Sequence, residues 1–352
     1  MRILTINPGS TSTKIGIYSE GNIQNEFSIE HSSEQVSKFK RSIEQKDMRT
    51  KIIKDFLKEK GYKSSDFDAI SGRGAPLKPL VSGVYKVNEK MIYDLNNEVK
   101  ADHPSILGAI IAKELADEGG INAYITDPVS VDEFDDIARI SGMPENPRLS
   151  LGHTLNIKAV ARRLENDVNK KYEDMNLIIC HLGGGISISA HKDGRMIDVN
   201  NANDDGPFSP ERAGGLPAGQ LVKLCFSGKF ETDRDLKNYV NKKAGLIAYL
   251  GSNSLKDLMN KRSDKKVDLI ISAMVYQIAK EIGKMVTVLC GKVDYIVMTG
   301  GIANNKILMD EINNYTSFIA NMKLYPGEGE LLALGQGVER VLQGKQKVIE
   351  YV

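Results

Sequence analysis

The stretch that decides the fold is MRILTINPGSTSTK, residues 1–14. The apolar run Ile3–Ile6 predicts a strand, and Lys14–Tyr18 predicts a second one. The turn between them carries Gly9, an amide, several hydroxyls and a lysine. Backbone N–H groups approach a polyanionic phosphate closely only where side chains are small, so the turn is a candidate phosphate site. Taken alone, it is more typical of an ordinary hairpin with a polar turn.

The same plan recurs in residues 176–202. Three glycines, Gly183 to Gly185, follow the first strand of this second copy, just as Gly9 follows the first strand of the opening copy. The predicted strands of the second copy are Leu177–Leu182, Ile186–His191 and Met196–Val199. We interpret the two copies as an ancestral duplication that places two phosphate-binding turns across a cleft from each other.

Composition places the chain among globular proteins without a strong electrostatic field. It has 352 residues, 41% of them hydrophobic and 26% charged, with 47 basic and 46 acidic side chains. Such a balance predicts no attraction to nucleic acid or to a membrane surface. Three widely spaced cysteines and the absence of a signal-like or membrane-spanning apolar run predict buried thiols in a cytoplasmic protein.

Between and after the two hairpins the pattern becomes α/β. A C-terminal helix, Leu331–Leu342, is expected to pack on the first domain. The other predicted helices are 34–60 with one break, His103–Glu118, Asn156–Met175 and Asp268–Cys290, and the other predicted strands are Asp68–Ser71, Ala123–Thr126 and Tyr295–Met298. This order predicts two α/β domains, each a mixed sheet flanked by helices, over residues 1–147 plus 331–352 and over residues 148–330.

Several motifs in order resemble the acetate and butyrate kinase family over nearly the whole chain. Residues 7–14 resemble its N-terminal signature, and residues 181–187 resemble its second phosphate motif. The segments 198–202, 206–212 and 224–229 are similar to the butyrate kinase branch in particular. The resemblance implies an actin-like ATPase, or ribonuclease H-like, fold with the nucleotide in the interdomain cleft. It also implies ATP or ADP and Mg²⁺ as cofactors and a homodimer or larger homo-oligomer.

Transfer of a phosphoryl group to a carboxylate has an electrostatic barrier, because two anions must meet. No general base is needed, since a carboxylate is already ionised at pH 7. Arg73 lies in a glycine-flanked turn after a predicted strand, and Arg212 follows Pro210 and Glu211. A surface salt bridge explains either arginine taken alone. The resemblance implies that both flank the transferring phosphoryl group.

The resemblance assigns further roles by position. Asp127 ends a predicted strand, where a turn or cap is the alternative, and is implied as a catalytic or Mg²⁺-linked carboxylate. His153 is implied as a donor to the phosphoryl group, although a lone histidine is commonly structural. The implied nucleotide-binding residues are Asn7, Ser10, Ser12, Lys14, His181, Gly183, Gly184 and Gly185 for phosphate, and Gly300, Gly301 and Asn304 for adenosine.

The chain departs from the family pattern at two places. Its acidic run near the last helix is Glu328-Gly329-Glu330, which leaves open which glutamate meets the metal; we favour Glu330. Gly152 stands before His153, where the family typically has phenylalanine. Losing that apolar wall is expected to reshape the acyl pocket, so the chain length of the substrate stays open. For His103, which precedes Pro104, the choice between a helix cap and a pocket residue also stays open.

The resulting hypothesis is direct in-line phosphoryl transfer from ATP to butanoate, giving butanoyl phosphate and ADP. The resemblance implies that the cell runs this reaction towards ATP synthesis in fermentation. One alternative is another short-chain or branched-chain acyl kinase, acting on acetate, propionate or isobutyrate. The other is a non-catalytic nucleotide switch like Hsp70 or actin, against which the two arginines argue. The expected partners are thus a small carboxylic acid and an adenine nucleotide.

Overall fold

The computed structural model describes residues 1–99 and 102–352, which divide into two compact units. The first unit comprises Met1–Asp132 and Gly329–Val352, and the second comprises Glu133–Glu328. Within the described residues, no helix has the length and apolarity that crossing a membrane requires. Cys180 is buried, whereas Cys225 and Cys290 are exposed, so the expectation of buried thiols is wrong for two of the three cysteines.

Each unit contains one sheet. The strands found in the described residues are β1 (Arg2–Pro8), β2 (Ser12–Ser19), β3 (Asn22–Glu30), β4 (Ala69–Arg73), β5 (Val84–Lys86), β6 (Asn122–Thr126), β7 (Leu177–Leu182), β8 (Ile186–Lys192), β9 (Arg195–Val199), β10 (Tyr295–Gly300) and β11 (Asn321–Pro326).

Helices surround the sheets in both units. The α-helices of the described residues are α1 (Ser33–Ser37), α2 (Lys46–Glu59), α3 (Glu89–Asn97), α4 (Ile106–Gly119), α5 (Asp136–Arg139), α6 (Thr154–Val168), α7 (Ala218–Cys225), α8 (Asp233–Lys242), α9 (Gly245–Leu250), α10 (Leu255–Met259), α11 (Lys265–Val288), α12 (Lys306–Thr316) and α13 (Glu330–Leu342). Short 3₁₀ turns occur at Ser42–Gln45, Ser64–Asp66, Tyr172–Asp174 and Gly301–Asn304.

The first sheet has the strand order β3-β2-β1-β4-β6-β5. Strands β1, β2 and β3 are antiparallel, and β1, β4 and β6 run parallel. Side chains alternate between its faces, so Leu4 and Ile6 pack with helix α4 while Ile3 packs with Val338 of α13. The predicted packing of the C-terminal helix on the first domain is confirmed, and Gly335 permits it because a Cβ there would lie 2.4 Å from the Tyr18 ring.

The second sheet, ordered β11-β10-β7-β8-β9, repeats this arrangement. Strands β7, β8 and β9 are antiparallel, and β10 and β11 run parallel to β7. Ile178, Cys180 and Leu182 face one core, and Leu177 and Ile179 face another. The predicted α/β class with a mixed sheet in each half is confirmed, and in both halves a glycine turn joins the first two strands.

The two predicted boundaries that differ most from the structure are the end of helix α6 and the end of the first domain. Helix α6 ends at Val168 rather than at Met175, because Asn169 takes a left-handed conformation (φ 50°) and ends the helix. The predicted first domain extends to residue 147, whereas the segment from Glu133 onward belongs to the second unit. Two ion pairs within that unit hold this segment, Lys158 with Glu133 at 2.6 Å and Arg148 with Asp198 at 2.8 Å.

A buried polar network supports the second unit. Lys158 is fully buried, and its Nζ donates to Glu133 and to the Gly194 carbonyl at 3.0 Å. The hydroxyl of Tyr172 lies 2.6 Å from His191 Nδ1, and the Ser189 hydroxyl lies 2.8 Å from His191 Nε2. Burial, followed by the charge of Lys158, lowers the pKa of His191 well below its ordinary value. His191 is therefore neutral in the folded protein.

This histidine should make stability depend on pH. Below about pH 6.5 the unfolded chain binds a proton at His191 that the folded chain does not bind. The contribution of His191 is thus complete above that pH and is lost as pH falls, by up to about 1.4 kcal/mol per pH unit. Urea unfolding from pH 7.5 to 5.5 should show a shallower decline for His191→Gln than for the parent chain. Equal slopes for the two proteins would contradict the assignment.

Candidate active site

The first glycine turn is held in a fixed shape by its own backbone and by helix α2. Gly9 N donates to the Ser12 carbonyl at 2.7 Å, and the register between β1 and β2 sets Lys14 opposite Asn7. Arg49 of α2 donates to the carbonyls of Ser10 and Ser12. The turn therefore brings together all four predicted phosphate-binding residues of the first unit.

Arg49 is a functional candidate that the sequence reasoning missed. It is fully buried beside Ile53 and Leu57, one helical turn and two turns further along α2. Arg49 stands four residues before Ile53 and eight before Leu57, so it lies on the apolar face of the predicted helix. A single cationic residue on such a face is the sequence signal that could have identified Arg49.

Glu330 contacts two of the predicted site residues of the first unit, Asn7 and Arg73. Its carboxylate accepts a hydrogen bond from Asn7 Nδ2 and forms an ion pair with Arg73 Nη1. The Arg73 side chain is 17% exposed, and Nη1 is the one guanidinium nitrogen that has a partner among the described residues. The edge formed by Nε and Nη2 can therefore bind a carboxylate with two parallel hydrogen bonds.

Asp127 follows β6, next to the end of β4 that carries Arg73. It is buried, and its backbone φ of 38° is strained for a residue other than glycine. Its Oδ1 accepts from the Ser82 hydroxyl at 2.6 Å and from Gly83 N at 2.8 Å. Gly74 allows this close approach, because a Cβ there would lie 2.4 Å from Pro128. The ends of two neighbouring strands thus carry the cation and the carboxylate.

Two stacked histidines lie in the second unit. The rings of His153 and His181 are 3.9 Å apart and nearly parallel. His153 Nδ1 lies 2.9 Å from the Ser187 hydroxyl, and His181 Nδ1 lies 2.9 Å from the Asn156 side-chain oxygen. These contacts fix the orientation of both rings. His153 sits at the start of α6, and His181 precedes the second glycine turn.

The second glycine turn contacts both His181 and Arg212. A Cβ at Gly183 would lie 3.1 Å from His181 Nε2, and one at Gly185 would lie 2.6 Å from the Arg212 guanidinium carbon. Arg212 Nη1 donates to the Asn203 side chain at 2.9 Å and to the Ala202 carbonyl at 3.2 Å. In the described part of the chain its Nε and Nη2 have no partner, as in Arg73. Burial lowers the pKa of Arg212.

The third predicted glycine motif follows β10. Gly300 has a φ of 87°, and its backbone exchanges two hydrogen bonds of 3.0 Å with Gly327. A Cβ at Gly300 would lie 2.3 Å from the carbonyl of Leu182, so β10 and β7 approach closely next to the second glycine turn. Beyond it, a Cβ at Gly301 would meet open space, and Asn304 donates to the Gly301 carbonyl at 3.0 Å.

The remaining predicted positions have local roles. His103 Nδ1 contacts Ser105 at the start of α4, which fits the helix-cap alternative. The backbone carbonyl of Glu328 accepts from Asn156, while its neighbour Glu330 carries the contacts described above. A Cβ at Gly152 would lie 3.4 Å from both Ser187 and Val199. Across the described ranges, no group of three or more histidine, cysteine, aspartate or glutamate residues could hold a metal ion.

Comparisons with known proteins identify the family of the chain. The model of the acetokinase family matches residues 152–322. The chain is 51% identical to butyrate kinase 1 and 50% identical to butyrate kinase 2 of Clostridium acetobutylicum, each over 99% of both chains. Among solved structures, Porphyromonas gingivalis acetate kinase has a TM-score of 0.80 at 18% identity, covering 96% of this chain and 99% of its own.

A propionate kinase from Francisella tularensis has a TM-score of 0.75 at 18% identity, over 95% of this chain and 98% of its own. These two structures share the fold with the chain, and the two full-length relatives are identical to it at about half of their positions. The chain belongs to the acetokinase family.

Proposed function

We propose that the chain is an acyl kinase that phosphorylates butanoate with ATP, giving butanoyl phosphate and ADP. The observation that carries this proposal is the near full-length identity of about half the residues to two proteins named butyrate kinases. The chemistry of the described side chains supports it. Two arginines each have a guanidinium edge without a partner among the described residues, and an anionic substrate that reacts with an anionic nucleotide needs such cations.

In the first unit, the proposed role of Asn7, Ser10, Ser12 and Lys14 is to bind the β- and γ-phosphates. Small residues, together with the amide, hydroxyl and ammonium donors of these side chains, suit the turn to this task. Arg73 would hold the butanoate carboxylate through its Nε and Nη2 edge, while Glu330 keeps Nη1 in place. A carboxylate bound in this way stays ionised, so it can attack phosphorus without a base.

In the second unit, Arg212 and the two histidines would contact the transferring phosphoryl group. The turn Gly183 to Gly185 would lie against the adjacent phosphates, because its lack of side chains lets the backbone approach them closely. The Nδ1 contacts of His153 and His181 hold the rings before the nucleotide binds, so little reorganisation is needed during the reaction. We assign adenosine to Gly300, Gly301 and Asn304, where the open space beyond Gly301 leaves room for the nucleotide.

We further propose that Mg²⁺ acts with the nucleotide. Magnesium is usually held by one or two carboxylates together with substrate phosphates, so a protein cluster of three acidic ligands is not required. The donor set fits, since Asp127 and Glu330 are the carboxylates at the first-unit site. When bound, the ion supplies positive charge that offsets the charge of the phosphates. Glu330 is the proposed metal-linked glutamate, because Glu328 contributes its backbone rather than its carboxylate.

The direct test is acyl phosphate formation trapped as the hydroxamate, across acetate, propionate, butanoate, isobutyrate and valerate. The proposal expects the highest kcat/KM with butanoate, together with ADP release that depends on the acid. A clear preference for acetate would assign a different acyl kinase. ATP hydrolysis that is slow and independent of any acid would instead support a nucleotide switch.

A glycine substitution should disturb the reaction without removing a charge. The added Cβ of Gly185→Ala would lie 2.6 Å from the Arg212 guanidinium, which must move because it is the flexible partner. We expect an unchanged fold and a kcat lowered about a hundredfold. Gly283→Ala, whose Cβ meets open space in α11, should leave kcat unchanged. Parent-like turnover in Gly185→Ala would show that the position of Arg212 does not matter.

We also propose a cytoplasmic homo-oligomer, as the family resemblance implies. Two exposed apolar side chains, Val222 of α7 and Phe226 just after this helix, are available for contact with another copy. Light scattering on the purified chain measures its mass directly, and a monomer at micromolar concentration would contradict this part of the proposal.

A further inference from the structure

Arg49 carries a buried positive charge that has no role in the proposed function. Its guanidinium is fully buried, and all five of its N–H donors have acceptors. Nε and Nη2 donate to the Gln45 side-chain oxygen at 3.0 and 2.8 Å. Nη1 donates to the Ser12 carbonyl and the Thr13 hydroxyl, both at 3.1 Å, and Nη2 donates to the Ser10 carbonyl at 3.2 Å. Three of the five bonds therefore hold the phosphate turn.

Every one of these acceptors is neutral. In the described part of the chain no carboxylate lies within ion-pair distance of Arg49, although buried arginines are normally paired with one. His31, whose Nε2 lies 2.8 Å from the Thr13 hydroxyl, adds no second positive charge there, because burial and the nearby guanidinium lower its pKa. Burial lowers the pKa of Arg49 to about 10, which still leaves it protonated at neutral pH.

We infer that Arg49 is a positioning residue for the nucleotide, fixing the backbone of the phosphate turn and holding next to it a positive charge that the phosphates of ATP neutralise. This inference rests on the proposed function, which assigns the turn to the β- and γ-phosphates. If the arginine served only to fix the backbone of the turn, an acidic side chain could pair with it. Leaving the charge uncompensated costs stability and is useful where an anion must bind.

The variant Gln45→Glu tests the charge of Arg49 separately from the hydrogen bonds that fix the turn. The carboxylate of this variant offers an oxygen at the same position, so the guanidinium keeps its geometry and gains a counterion. We expect the Kd for ADP and the KM for ATP to rise roughly tenfold. The KM for butanoate should stay within twofold, and the melting temperature should be equal or higher.

Arg49→Lys makes the opposite change, because it keeps the charge and loses the planar fork. Its melting temperature should fall, while its ADP affinity should remain closer to that of the parent than the affinity of Gln45→Glu does. A purely structural role predicts the reverse order, with Arg49→Lys the weaker nucleotide binder and Gln45→Glu unchanged. Either that order or equal ADP affinity in the parent and Gln45→Glu would overturn the inference.

Calorimetric titration with ADP alone keeps the inference separate from the proposed function. If the chain forms no acyl phosphate but the ADP affinities follow the expected order, the proposed reaction fails and the inference stands. If butanoyl phosphate forms and the KM for ATP is the same in the parent and Gln45→Glu, the inference fails and the reaction stands.

Discussion

Arg212→Ala is expected to lower kcat for butanoyl phosphate formation by about a thousandfold while leaving the protein folded. The reason is that an arginine which neutralises a transferring phosphoryl group acts mainly in the transition state, where this charge is worth several powers of ten in rate. The fold should survive, because the side chain gives up only the Nη1 contacts to Asn203 and Ala202. Steady-state kinetics and thermal unfolding measure the two effects separately.

Arg262→Ala is the matched control in the same unit. Its guanidinium is 17% exposed and pairs with Glu311 and Asp268, none of which belongs to the candidate site. We expect a lower melting temperature and an unchanged kcat. Arg212→Lys adds a second comparison, since it keeps the charge without the planar fork and should recover part of the lost rate. A kcat for Arg212→Ala within tenfold of the parent would remove Arg212 from the mechanism.

Arg73→Ala is expected to lower kcat/KM for butanoate by about a hundredfold to a thousandfold. The loss should include a raised KM for butanoate, because the Nε and Nη2 edge is the proposed binding site of its carboxylate. The KM for ATP should change less. Glu330 loses its ion pair in this variant, so the Mg²⁺ dependence of the rate should be measured alongside.

Arg340→Ala provides the comparison for Arg73→Ala. Arg340 lies on the same helix as Glu330, and its Nε donates to the Gln346 side chain at 2.9 Å. It should reduce stability slightly and leave the KM for butanoate unchanged. If Arg73→Ala raised the KM for ATP but not that for butanoate, the arginine would belong to the nucleotide and the assignment would be wrong.

Several elements could be predicted because their signal is local. The strands around Gly9 and Gly183, the helix Lys265–Val288 and the strand Tyr295–Gly300 follow from apolar periodicity and the glycines beside them. The end of helix α6 could not be predicted from periodicity, because a single left-handed residue, Asn169, stops it. The short strand Val84–Lys86 was also missed, because three residues are too few to show an alternation of apolar and polar side chains.

The sequence by itself determined the class of the fold, the two glycine turns and the membership of the family, because each depends on patterns of residues that are close together along the chain. Only the tertiary structure decided which distant side chains meet. Glu330 reaches Arg73 and Asn7 across most of the chain, and Arg49 holds a turn that precedes it by more than thirty residues. Such contacts arise when helices pack on a sheet, and packing joins residues whose separation in sequence carries no signal.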